Sequence, residues 1–97
     1  MLKTYSINYN LSNPGRDYQN LINTIRSLPG TWAHPGGSHW FVSTHLTGEN
    51  IRSRLYSVMD RNDQLYVHTV GDDWWTQNAS TEIVGWLKSN WRSSCGV

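Results

Sequence analysis

TYSINYNLSNPGRDYQNLINTIRSLPG, residues 4–30, changes its apolar period partway along, and that change decides how the chain folds. Over the first eight residues Tyr5, Ile7, Tyr9 and Leu11 alternate with Thr4, Ser6, Asn8 and Asn10, as a strand with one apolar face requires. Asn13-Pro14-Gly15 is a turn, because proline fixes φ and glycine tolerates positive φ. From Asp17 the period lengthens. Tyr18, Leu21, Ile22, Ile25 and Leu28 form one stripe of a three-turn helix. Asp17 suits the positive end of that helix, and Pro29-Gly30 stops it.

Two extended runs follow, 31–34 and 38–45, and Pro35-Gly36-Gly37 between them predicts a hairpin. A second helix is predicted over 48–60, with Thr47 as N-cap, Leu46 stapled onto Ile51, and Ile51, Leu55, Val58 and Met59 buried. Arg61-Asn62-Asp63 reads as a turn. Residues 64–70 read as a strand with Leu65, Val67 and Thr69 opposite Tyr66, His68 and Val70. Beyond Gly71-Asp72-Asp73 a third helix over 80–91 carries Ile83, Trp86, Leu87 and Trp91 on its apolar side. The order β-α-β-β-α-β plus a terminal helix predicts an α+β, ferredoxin-like domain over 1–92 with sheet order 4-1-3-2. Residues 93–97 are expected to be a disordered tail.

This plan puts both long helices on one face of the sheet. Thr4, Ser6, Asn8 and Asn10 then point to the other face, with one alternate set from each remaining strand. On the third strand that set is either His39, Phe41 and Ser43 or Trp40, Val42 and Thr44, and each contains an aromatic ring. An open face with aromatics is covered by a partner, by a terminal helix or by stacked bases.

Composition narrows the classes. Eight Lys and Arg against seven Asp and Glu leave a net charge of +1, and the basic residues are scattered, so no electrostatic footprint for nucleic acid stands out. The single cysteine, Cys95, excludes an internal disulfide and a cysteine-rich metal site. No apolar run is long enough for a signal peptide or a membrane span, so the expected location is cytoplasmic, without membrane association. Six tryptophans are too many to leave in water, and a small domain with that much aromatic surface is expected to bury some of it in a homodimer.

The motifs Tyr5-x-Ile7-x-Tyr9-Asn10-Leu11, Pro14-Gly15-x-Asp17-Tyr18, Gly30-x-Trp32-x-His34-Pro35, Ser38-x-Trp40-x-Val42, Ile51-Arg52 and Asn62-Asp63-x-Leu65-Tyr66-Val67 resemble a family of small bacterial proteins labelled SinR-like. The resemblance covers nearly the whole chain. More distantly the chain is similar to the small ferredoxin-fold subunit of the CRISPR spacer-integration complex and to virulence-associated protein D ribonucleases. That likeness implies homodimers in which an aspartate at the end of strand one, from each protomer, binds a divalent metal at the seam. In many members of those groups a tyrosine precedes that aspartate; here the tyrosine is kept as Tyr9, but the aspartate position holds Asn10. An amide oxygen adds no negative charge and anchors Mg²⁺ poorly.

Three residues form the one catalytic constellation the topology suggests. With strand one taken as parallel to strand three and antiparallel to strand four, Asn10, His45 and Asp63 come to one edge, where they could do acid–base work or hold Mg²⁺ or Mn²⁺. The plainer alternative makes them a turn cap, a strand end and a turn residue. The histidines His34, His39, His45 and His68 lack zinc spacing. Asn8, Asn10, Trp40, Trp74 and Trp75 are the expected contacts to a nucleic acid or protein partner, against the alternative that the tryptophans pack a core or a dimer. The favoured expectation is a non-catalytic homodimeric binding or adaptor module that needs no cofactor. The alternative is a metal-dependent endonuclease or related nucleic-acid binder.

Overall fold

The computed structural model describes residues 2–12 and 18–92; Asp17, and the tail expected over 93–97, lie outside them. Strands β1 (Lys3–Asn10), β2 (Thr31–Gly36), β3 (His39–Thr44) and β4 (Gln64–Thr69) form one sheet in the order β2-β3-β1-β4. This is the expected 4-1-3-2 order read in reverse. Helices α1 (Gln19–Arg26) and α2 (Gly48–Tyr56) follow β1 and β3, and α3 (Thr81–Asn90) ends the described chain. Among the described residues no helix is long and apolar enough to cross a membrane.

Strand direction differs from expectation. β1 pairs antiparallel with both β3 and β4. The connections account for this: a helical crossover returns β2 parallel to β1, and the tight hairpin then reverses the chain, so β3 runs against β1.

The helix-side face carries the core. Tyr5, Ile7 and Tyr9 of β1 and Trp40 and Val42 of β3 meet Leu21 and Ile25 of α1 and Ile51 and Leu55 of α2. Trp40 is fully buried, donates from Nε1 to the Tyr9 hydroxyl at 3.1 Å, and stacks on the His34 ring at 3.8 Å. The Arg26 guanidinium lies over the Trp32 and Trp40 rings. Both helices end earlier than their apolar stripes, so Leu28, Val58 and Met59 reach the core from turns. The Thr47 hydroxyl accepts from the Asn50 amide and Ser80 from the Ile83 amide, capping α2 and α3. At Gly30, φ is +113° and a Cβ would sit 2.0 Å from the Ser43 carbonyl oxygen, so only glycine lets the chain leave α1 and enter the sheet there.

Candidate functional site

The opposite sheet face is partly closed by the chain itself. Trp86 and Trp91, on α3 and just after it, contact the Phe41 ring at 6.3 and 5.3 Å between centroids. The Thr4 hydroxyl donates to the Asn90 carbonyl and accepts from the Arg92 amide, while the Thr4 amide donates to the Arg92 carbonyl. Trp91 Nε1 donates to the Gly71 carbonyl at 2.7 Å, tying the end of α3 to the exit from β4. α3 therefore lies over the β2–β3 half of the sheet. The terminal helix, one of the three covers expected for this face, thus lies over part of it.

Among the described residues nothing covers the β1–β4 half. Its register sets Ser6 against His68, Asn8 against Tyr66 and Asn10 against Gln64. Tyr66 and His68 are exposed and stack at 6.4 Å with nearly parallel rings. The Asn8 amide donates to the Ser6 hydroxyl, which meets His39 Nε2 at 3.2 Å. Burial, with a smaller contribution from the His34 charge, holds the His39 pKa below its ordinary 6.5. At the margin of this strip, His39 and Phe41 line a cavity of about 270 Å³ with Trp74, Trp75, Leu87 and Trp91. Trp75 is 85% exposed, an unusual place for so large an apolar ring.

The predicted catalytic group does not assemble. Asn10 and Asp63 share one end of the sheet, but His45 lies at the opposite end, beside Lys3 and Tyr5. The antiparallel β1–β3 pairing is the reason. Asn10 donates through its amide nitrogen to Gln64 Oε1 at 3.1 Å. Asp63 is buried, and its Oδ1 accepts from the Ser12 amide, the Ser12 hydroxyl and the Tyr18 hydroxyl, while Oδ2 accepts from the Asp60 amide. Burial alone would raise the Asp63 pKa; the bonds from Ser12, Asp60 and Tyr18 outweigh it and hold it below the usual carboxylate value. Asp63 is thus a clasp joining the β1 exit to the α2–β4 turn. In this arrangement the Asp63 carboxylate is already engaged by Ser12, Tyr18 and Asp60, and the Asn10 amide nitrogen by Gln64.

Trp40, expected at a partner surface, belongs to the core and offers a ligand no surface. Asn8, Asn10, Trp74 and Trp75 do lie on or beside the open half-sheet. Tyr66 and His68 complete it and were not anticipated as contacts, although their alternation against Leu65 and Val67 already put the two rings on one common face. Among the described residues no three His, Cys, Asp or Glu side chains gather as a metal-ligand group. Comparisons with family models, with curated proteins and with solved structures gave no match to the chain.

Proposed function

We infer that the chain is a non-catalytic homodimeric binding module that receives a macromolecular partner on its open half-sheet. The observation that carries this reading is the exposed aromatic and amide strip of Tyr66, His68, Asn8 and Asn10, with Trp75 bare at its margin. Aromatic rings on a rigid sheet give large contact area at little entropic cost, which is why they dominate binding hot spots. The strip contains amides, imidazole and phenol but no carboxylate, and its near-neutral character suits a partner recognised by stacking and hydrogen bonds rather than by charge.

The nuclease alternative needs a metal at Asn10, and the engagement of Asn10 with Gln64 and of Asp63 with Ser12 and Tyr18 weighs against it. Labelled single- and double-stranded RNA and DNA, incubated with the protein and Mg²⁺ or Mn²⁺, separate the two. The binding reading predicts no cleavage. Cleavage that disappears in Asn10→Ala would contradict it.

A further inference from the structure

The two edges of the sheet are treated differently. β2 carries Pro35, which has no N–H, and its register with β3 breaks between Ala33 and Gly36. Proline and irregular register are the usual means of blunting an edge. β4, Gln-Leu-Tyr-Val-His-Thr, has no proline, no lysine and an unbroken register with β1. A bare, uncharged, β-prone edge of this kind templates further pairing.

Its free groups can be identified. The Tyr9 amide donates to the Ser38 carbonyl on the β3 side, whereas the Thr4 amide points the other way, to Arg92. Since main-chain groups alternate in direction along a strand, the even residues of β1 bond to β4. Their partners Gln64, Tyr66 and His68 therefore face inward, and Leu65, Val67 and Thr69 turn their N–H and C=O groups outward.

We propose that β4 pairs antiparallel with β4 of a second copy about a two-fold axis at Val67, joining two sheets into one of eight strands. In this register Val67 faces Val67, Leu65 faces Thr69, and all the outward main-chain groups of the three residues are satisfied. Tyr66 of each copy stands opposite His68 of the other, extending the stack already present within one chain. The groove between β4 and α2 is lined by Glu49 and Arg52 as well as by Leu65 and Val67. The two-fold brings Glu49 of each copy toward Arg52 of the other, a self-complementary pair that favours a second copy over an unrelated strand. The open strips of Asn8, Asn10, Tyr66 and His68 then merge across the axis. This inference rests on the homodimeric reading above and names its interface.

Cross-linking and light scattering test it. Directly opposed residues of this type lie about 4.5 Å apart between Cα atoms, within disulfide reach. Tyr66→Cys/His68→Cys in a Cys95→Ser background is expected to oxidise to a covalent dimer. Tyr66→Lys/His68→Lys, on the exposed face, and Thr69→Pro, which removes an outward N–H from each copy, are expected to weaken association by about tenfold or more with the melting transition retained. If Thr69→Pro misfolds, the lysine pair decides. A wild-type dimer whose dissociation constant is unchanged in the lysine variant overturns the β4 interface and leaves the homodimeric reading standing. A wild-type chain that stays monomeric at micromolar concentration overturns both.

Discussion

Trp40 and Asp63 show how far a residue's role depends on the company it keeps. Trp40 has no exposed surface and holds Tyr9, His34 and Trp32 around its ring, whereas Trp32 is 38% exposed. Trp40→Ala is therefore expected to cost about 3–5 kcal/mol in chemical denaturation, and Trp32→Ala clearly less. Asp63 works through its charge. Its folded pKa is depressed, so its contribution is present above the ordinary value of 3.8 and is lost as pH falls through the lower folded value. Asp63→Asn should flatten the acid limb of the stability–pH curve in that window and cost about 1.5–3 kcal/mol at neutral pH. His39 adds an earlier decline. Because its folded pKa is also lowered, the folded state prefers the neutral ring, and stability begins to fall as pH drops below 6.5. His39→Gln should remove that first decline without moving the second; urea melts across the pH range would separate them.

At the scale of elements, α3 is the least secure part of the fold. It buries only Leu87 fully, and among the described residues the buried Ser43 Oγ and Trp86 Nε1 have no hydrogen-bond partner beneath it. Each such group costs about 1–3 kcal/mol, so α3 depends on its cap, its ring contacts with Phe41 and the Thr4 clasp. Ser80→Ala is expected to cost about 1 kcal/mol and to raise hydrogen exchange along α3 more than along β1. The elements and their order were legible from periods of 2 and 3.6 and from caps such as Thr47. Strand direction is not written in a period; it follows from how connections turn, and misjudging it brought His45 to the wrong end. The face of β3 was equally hidden, because its two alternate sets each contain an aromatic, and only packing against α1 selects Trp40 for the core. That α3 would land on Phe41 was unreadable too, since its apolar positions say that it packs but not where.

At the scale of the whole molecule, the described residues cover the β2–β3 half of the sheet and leave the β1–β4 half and the β4 edge bare. Pairing two such edges would cover the hazard and double the binding strip in one step, and so link assembly to function. The outward amides of Leu65, Val67 and Thr69 report on that pairing, while the inward amides of Gln64, Tyr66 and His68 serve as an internal control. Hydrogen exchange read residue by residue over a range of protein concentration is the most direct test. The account predicts that Leu65, Val67 and Thr69 are protected when the protein is concentrated and lose that protection on dilution, with the inward set protected throughout. Rapid exchange of those three amides at every concentration would contradict it.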